Sequence, residues 1–164
     1  MSPMGHYTLS MEAIAHSVME IVMDIQEQAI KSLARHLEFF GYTNEFFEED
    51  PGFKADHEGY GKVFVRPMGR IVLHTNYWLI SENASDEDAE LLMIINRLNQ
   101  SSYVSTYSVL KDGGLRIDAV FAGEYSKSSY GEFIDDFHQD IVRAIRNDEE
   151  LRLYREQRRL ASVN

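Results

Sequence analysis

The sequence predicts an α+β fold, a mainly antiparallel sheet packed by helices on one face. Strand-like runs at 103–110 and 115–122 are joined by Lys111-Asp112-Gly113-Gly114, and Asp-Gly between alternating runs is the strongest local signal of a β-hairpin. Helical patterns stand before and after this hairpin. The sequence has no βαβ repeat with a glycine-rich phosphate loop, so a doubly wound nucleotide-binding fold is not expected.

A long helical pattern comes first. Residues 9–40 contain neither proline nor glycine, and Gly41 stands where a helix C-cap is usually found. Apolar side chains follow a 4-3-4 spacing and are continued less cleanly afterwards, first at Ile14, Val18, Ile21 and Ile25, then at Ala29, Leu33, Leu37 and Phe40. The pattern fits either one helix of about 45 Å at 1.5 Å per residue or two helices with a break near 24–28.

Further apolar side chains widen the apolar surface of the first part of this helix beyond one stripe. A helix that is apolar on more than one face must be buried on more than one side. Either the domain wraps it, or a second copy of the chain does. We therefore predict a homodimer whose interface includes Met11, Val18, Met19 and Val22.

An acidic segment and a first hairpin follow. Residues 43–61 combine acids with Pro51 and three glycines and are expected to form a loop, with an edge strand near 43–48. Strands are expected at 60–66 and 70–80, joined by Pro67-Met68-Gly69. Alternation divides the second strand into two faces. We expect the helices to cover Ile71, Leu73, Thr75, Tyr77 and Leu79, and the opposite face, Val72, His74, Asn76, Trp78 and Ile80, to be half exposed.

The stretch 85–145 predicts helix, hairpin and helix in that order. Ser85 and Asp88 suit a reciprocal cap at the first helix start, and its apolar positions are Leu91, Ile94, Ile95 and Leu98. The second helix is predicted to begin at Ser129 and to bury Phe133, Ile134, Phe137, Ile141 and Ile145. Asn96 and Asn99 suit a helix end, where asparagine bonds loose backbone groups; the alternative is a role in positioning a partner peptide.

The C-terminal segment 147–164 is charged and is predicted to be helical. Arg152, Arg155, Arg158 and Arg159 crowd there against Glu156. They are either solvated cations at a helix C-terminus, where the dipole favours them, or a clasp that reaches an acidic patch on a twin subunit.

Composition limits the functional classes. The 164 residues carry a formal net charge of −11 and no cysteine, which excludes disulfides and thiolate sites. Proteins that bind nucleic acids or anionic membranes carry a surplus of Lys and Arg. This chain has an excess of acids instead, so neither is an expected partner. No apolar run approaches the ~20 residues of a membrane span. With no secretion signal evident, a cytoplasmic protein is expected.

The sequence contains few candidate catalytic or ligand-binding residues, and we predict no enzymatic activity and no cofactor. Asp135 and His138 could share a helical face, but two ligands do not close a metal site, so no metal is predicted. No Gly-x-Ser-x-Gly elbow occurs. His74 is expected to be a hydrogen-bonded surface histidine rather than a general base.

One resemblance rests on the residues just described. The helix end Ile95-Asn96-Arg97-Leu98-Asn99, the hairpin 111–118 and the apolar positions Phe133, Phe137 and Ile141 resemble the YbjN-like bacterial family, which is similar in fold to type III secretion chaperones. The resemblance covers about 29–145. It implies an αβββαββα-type chaperone-like fold, a cytoplasmic homodimer and no enzymatic activity. The chain would then be a single domain, 1–164, with an N-terminal helical extension at 1–28, a core at 29–146 and the tail.

The predicted function is a non-enzymatic protein-binding module, chaperone-like or a regulatory adaptor, which holds a protein or peptide partner. Its expected partner-binding residues are Val72, His74, Trp78 and Ile80, with Trp78 as the anchor because large aromatics dominate binding hot spots. Two alternatives stay open at this point. One is a small-ligand sensor or enzyme with a pocket between sheet and helices that uses His74 and nearby tyrosines; the other is a structural subunit of a larger assembly.

Overall fold

A computed structural model describes residues 11–81 and 84–161, without the side chains at 12–15, 17–18, 20–26 and 161. Helices and strands follow one another along the chain as α1 Met11–Phe39, β1 Thr43–Phe46, β2 Phe53–His57, β3 Gly61–Met68, β4 Ile71–Leu79, α2 Ala89–Ser101, β5 Ser105–Val109, β6 Gly114–Ala122, α3 Lys127–Val142, a π-helical turn Arg143–Asn147 and α4 Glu149–Ala161.

The strands form one antiparallel sheet of six strands in the order β1-β2-β3-β4-β6-β5. The predicted α+β class is therefore confirmed. The strand β2 was missed, because the acids and glycines of 43–61 predicted a loop there. Phe53 and Ala55 are buried on its inner face while Lys54 and Asp56 are not, and this alternation is too short to stand out among charged neighbours.

The hydrophobic core lies between one face of the sheet and the helices. The sheet contributes Phe53, Ala55, Val63, Val65, Leu115, Ile117, Ala119 and Phe121. The helices contribute Leu33, Leu37, Leu91, Ile94, Ile95, Leu98, Ile134, Phe137, Ile141 and Tyr154. The buried positions expected for α2 and α3 are confirmed, except that Ile145 is only partly buried.

Helix α1 is one continuous helix of 29 residues, so the alternative with a break near 24–28 is wrong. Its core side consists of Ile30, Leu33, Ala34 and Leu37, and Ala29, expected to continue the apolar stripe, is exposed. The described side chains before Ile30 are all exposed. The predicted boundary between positions 28 and 29 thus falls inside a single helix.

The hairpin between β5 and β6 is confirmed, although an Asp-Gly turn usually has a positive φ at both positions. Gly113 has a positive φ of 77° and Asp112 does not, so only one of the two turn positions uses left-handed backbone. A Cβ at Gly113 would lie 1.9 Å from the Ser81 carbonyl oxygen. Glycine is required here because another segment of backbone approaches so closely.

Both predicted helix starts are displaced by a few residues. Asp88, not Ser85, caps α2 by accepting hydrogen bonds from the backbone N–H groups of Glu90 and Leu91. Ser126 caps α3 and forms a reciprocal capping box with Ser129. Sequence alone offers one serine and two aspartates at the start of α2 and three serines at the start of α3, and the backbone geometry selects among them.

Polar side chains tie β5 into the fold. Asn99 donates from Nδ2 to the Tyr107 carbonyl at 3.0 Å and accepts the Tyr107 N–H at 2.7 Å, which confirms its predicted backbone-bonding role. The fully buried Asp140 carboxylate accepts the N–H groups of Tyr103, Val104 and Ser105 at 3.0–3.1 Å.

Helix α4 is held by its own chain. Asp88 accepts a hydrogen bond from the Tyr154 hydroxyl and pairs with Arg158, while Arg97 of α2 pairs with Asp148, which caps α4. Arg158 therefore already has a carboxylate partner in its own chain. The alternative in which the C-terminal arginines reach a twin subunit cannot count on this residue.

Candidate binding surfaces

The four predicted partner-binding residues lie on the opposite side of the sheet from the one expected. Val72, His74 and Trp78 stand opposite Phe121, Ala119 and Leu115 of β6, and all of these face the helices. His74 is fully buried and Ile80 is 6% exposed; Val72 and Trp78 are partly buried against the core. The expectation that this face is half exposed is wrong.

The reversal has a physical cause. The side chains of His74 and Asn76 are tolerated in the core because each forms at least one hydrogen bond there, although Asn76 Oδ1 and Trp78 Nε1 have no partner among the described residues. A hydrogen bond of 2.7 Å joins His74 Nε2 to the Tyr130 hydroxyl, and Asn76 Nδ2 donates to the carbonyls of Tyr60 and Lys62 at 3.0 and 2.8 Å. Those partners lie on α3 and on the segment before β4, which strand alternation does not reveal.

His74 has no path to solvent. Burial lowers its pKa from 6.5 to about 3, and its ring packs against Tyr130 and Phe133. Burial also raises the pKa of Tyr130. The pair is therefore neutral at physiological pH, and its packing does not offer His74 to a substrate.

A second histidine–tyrosine cluster lies under the turn between β2 and β3. His138 Nε2 and the Tyr42 hydroxyl are 2.7 Å apart, and the Tyr60 ring stacks on His138 at 3.7 Å. Burial, aided by the positive potential of nearby His57, lowers the pKa of His138 to about 4. Burial likewise raises the pKa of Tyr42. This cluster stabilises the fold in its neutral form.

The other face of the sheet, here called the open face, carries an apolar stripe. Met68, Tyr77, Leu79 and Val120 are 56%, 48%, 58% and 45% exposed. Phe64, Ile71 and Leu73 lie beside them and are partly buried, although Ile71, Leu73, Tyr77 and Leu79 were expected to pack on helices. The helices of the described chain instead lie on the inner face, so this stripe is uncovered.

A shallow hollow of about 260 Å³ lies in the open face, lined by Phe64, Arg66, Leu73, Thr75, Tyr77 and Arg116. Asp118 accepts a hydrogen bond from the Thr75 hydroxyl at 2.6 Å and pairs with Arg116 at 2.7 Å. Arg66 forms no ion pair within the described residues, and its guanidinium lies 5.3 Å from the Phe47 ring centre. The hollow thus combines three apolar or aromatic side chains with three polar ones, of which Arg66 has no ion-pair partner among the described residues.

A larger groove of about 820 Å³ runs between α1 and the start of α3, and is called the α1–α3 groove below. Its α1 wall consists of Ser32, Arg35, His36, Phe39 and Phe40, and its other wall includes Tyr125, Lys127, Ser128, Gly131, Glu132 and Asp135. Phe39 is 87% exposed. His36 Nδ1 lies 3.2 Å from the Tyr125 hydroxyl, and burial and the Lys127 charge lower the His36 pKa.

The predicted dimer interface is only partly described. Met11 and Met19 are 84% and 63% exposed, whereas the side chains of Val18 and Val22 lie outside the described residues. Whether a second copy covers this helix stays a prediction.

The side chains considered as possible metal ligands do not lie close together. Asp135 lines the α1–α3 groove while His138 is buried beside Tyr42. Across the described residues, no three His, Asp or Glu side chains gather where they could hold a metal ion. None of the described helices combines the length and the apolar character that a bilayer crossing demands.

Comparison with known proteins identifies the fold. The chain matches no protein-family description, and no curated protein matches it. Among solved structures it is similar to YbjN, a candidate transcription regulator from E. coli, with a TM-score of 0.50 and 12% sequence identity. The match covers 70% of this chain and 89% of that chain. The predicted YbjN-like fold is confirmed, while membership of that family and likeness to secretion chaperones stay predictions.

Proposed function

We propose that this protein is a non-enzymatic protein-binding module that holds a segment of another protein on the open face of its sheet. The observation that carries the proposal is the uncovered apolar stripe of that face. An antiparallel sheet with one solvated face normally alternates apolar-in with polar-out, and contiguous exposed apolar patches mark interaction sites. Here Tyr77 and Leu79 are exposed where polar side chains would be expected.

The chemistry of the open face indicates the kind of segment that fits. Apolar side chains would cover Met68, Tyr77 and Leu79, and a carboxylate would pair with Arg66, which lacks an ion pair among the described residues. An acidic, amphipathic partner segment satisfies both requirements. Charge complementarity of this type sets specificity and association rate more than affinity.

The fold neighbour supports a regulatory role without a catalytic one. YbjN is described as a candidate transcription regulator. A net charge of −11 disfavours direct contact with DNA, since DNA binding needs a cationic surface. A regulatory role for this chain would therefore act through a protein partner. We further propose that the module is a homodimer whose interface includes Met11, Val18, Met19 and Val22.

Site-specific photo-crosslinking tests the open face. A photoreactive residue at Leu79 should yield one dominant adduct in the native cell, while the same residue at Met93, equally apolar and 68% exposed on α2, should not. With the partner purified, Tyr77→Ser should weaken binding at least about tenfold, as truncation of an aromatic hot spot does. Circular dichroism confirms that each variant is folded.

Two outcomes contradict the proposal. One is an identical adduct from positions 79 and 93. The other is an affinity that Tyr77→Ser leaves unchanged.

A further inference from the structure

The two edges of the sheet differ in whether their backbone groups are paired. At the β5 edge, Asn99 bonds to both the N–H and the C=O of Tyr107, and Asp140 accepts the N–H of Ser105. The other edge is β1, which pairs with β2 alone. Side chains thus close the β5 edge, and β1 is left as the edge at which a further strand could be added.

The register of β1 shows which of its backbone groups are free. The Phe47 N–H donates to the Gly52 carbonyl at 3.2 Å, in continuation of the pairing between β1 and β2. Hydrogen-bonded positions alternate along an antiparallel pair, so Asn44 and Phe46 direct their N–H and C=O groups away from β2. Within residues 11–81 and 84–161, no other backbone group bonds to them. These two residues therefore offer the unpaired donors and acceptors that an added strand needs.

A hollow of about 520 Å³ lies beside this edge, between α1 and residues 46–52. Ile30 of α1 and Phe46 contribute apolar surface to it. The Phe46 ring packs against Phe53 with the ring centres 5.6 Å apart, yet the side chain is 49% exposed because the sheet ends there. A strand added to β1 would place a side chain next to Phe46 and into this hollow.

Carboxylates surround the β1 edge on both faces of the sheet. On the helix side, the hollow is lined by Glu27, Glu48, Glu49 and Asp50. On the open side, a second hollow of about 640 Å³ is lined by Glu45, Asp56 and Glu58. The lysines of the two hollows, Lys31 and Lys54, are already paired with Glu27 and Glu45. Because successive side chains of a strand point to opposite faces, an added strand would meet acidic surface on both of its faces.

We propose that the β1 edge binds an extended segment of another protein, rich in lysine or arginine, as a seventh strand of the sheet. Main-chain bonds to Asn44 and Phe46 hold the segment, and its side chains supply specificity, as is general for strand addition. A second copy of this chain does not fit, because pairing β1 with its twin would bring the same carboxylates together. The inference goes beyond the proposed function, since the open face suits an acidic segment and the β1 edge a basic one.

Peptide binding to the full chain tests the charge requirement. The probe is a short, dye-labelled synthetic peptide of alternating valine and lysine, and fluorescence anisotropy measures its affinity. The matched control is the same peptide with glutamate in place of each lysine. We expect the lysine peptide to bind at least about tenfold more tightly, because like charges brought together cost several kcal/mol. Its affinity should fall as salt is added.

Amide hydrogen exchange tests the position. The Phe46 N–H should exchange rapidly in the free chain and at least about tenfold more slowly when the lysine peptide is saturating, since pairing protects an amide. Phe46→Pro removes this N–H without breaking a bond to β2, and proline is tolerated on edge strands. Phe46→Ala, which removes the ring and keeps the N–H, is the matched control. Phe46→Pro should bind the peptide about fivefold more weakly than Phe46→Ala, the value of one hydrogen bond.

Several results would overturn the inference. These are equal affinity for the two peptides, no binding of the lysine peptide up to about 1 mM, equal affinity of folded Phe46→Pro and Phe46→Ala, and an unchanged Phe46 exchange rate at saturation. Protection of the Phe46 N–H that grows with chain concentration and needs no peptide would assign the edge to a second copy instead. If Phe46→Pro does not fold, the exchange of the unmodified chain decides. Crosslinking at Leu79 reports on the open face, so failure of the proposed function is recognised separately.

Discussion

Acidification from about pH 7.5 to about pH 5 should destabilise this protein through two buried histidines. Burial lowers the pKa of His74 to about 3 and that of His138 to about 4, from 6.5 in each case. Below pH 6.5 the unfolded chain binds protons at both imidazoles while the folded chain does not. The free energy of unfolding therefore rises with pH over the window from about 4 to 6.5 and falls as the pH is lowered through it.

The magnitude follows from the width of that window. Each pH unit below 6.5 costs about 1.36 kcal/mol per histidine, so at about pH 5 each histidine costs about 2 kcal/mol. The two together cost about 4 kcal/mol, a large part of the 5–15 kcal/mol that typically separates folded from unfolded domains. Urea denaturation at the two pH values measures the difference.

The variant His138→Gln separates the histidines from the many carboxylates that also titrate near pH 5. Glutamine keeps a polar group beside the Tyr42 hydroxyl but does not titrate. The loss of unfolding free energy between the two pH values should be smaller in the variant by about 2 kcal/mol. Equal losses in both proteins would refute the reasoning, as would an NMR titration that shows the His138 ring protonated at about pH 5 in the folded protein.

Two further predictions concern stability measured by urea denaturation. Asp140→Asn should cost about 3 kcal/mol, because the amide cannot serve three backbone N–H groups as the carboxylate does; a cost under about 1 kcal/mol would contradict the assigned role. Gly113→Ala should cost more than about 3 kcal/mol, whereas Gly69→Ala should cost about 1 kcal/mol. Both glycines have positive φ, which costs an L-residue 1–2 kcal/mol, but only Gly113 has a carbonyl where the Cβ would lie. Equal costs would show that the close approach to Ser81 is absent.

Local rules were sufficient for much of the fold. The hairpin was predicted correctly because glycine at the turn of 111–114 and alternation in the flanking strands depend only on neighbouring residues. Asn99 was predicted correctly for the same reason, since a helix end needs a side chain that bonds nearby backbone groups. The apolar positions of α2 and α3 follow from helical spacing alone.

The binding surfaces could not be predicted in the same way. From the distribution of apolar and polar residues, the face of β4 with His74 and Asn76 was predicted to be half exposed. Hydrogen-bond partners from other elements allow that face to be buried instead. The Tyr130 hydroxyl on α3 bonds to His74, and the carbonyls of Tyr60 and Lys62 accept hydrogen bonds from Asn76 inside the core. Once that face is buried, Tyr77 and Leu79 are left on the open side, however apolar they are.

By itself, the sequence determined the α+β class, the second hairpin, the turn glycines and the apolar faces of α2 and α3, because each depends on residues within a few positions of one another. Tertiary structure alone decided which face of β4 is buried and where the α1–α3 groove lies. That groove joins Phe39 to Lys127 and Glu132, and the burial of His74 needs Tyr130, 56 positions away. Such pairings depend on how distant elements pack, and no local pattern encodes them.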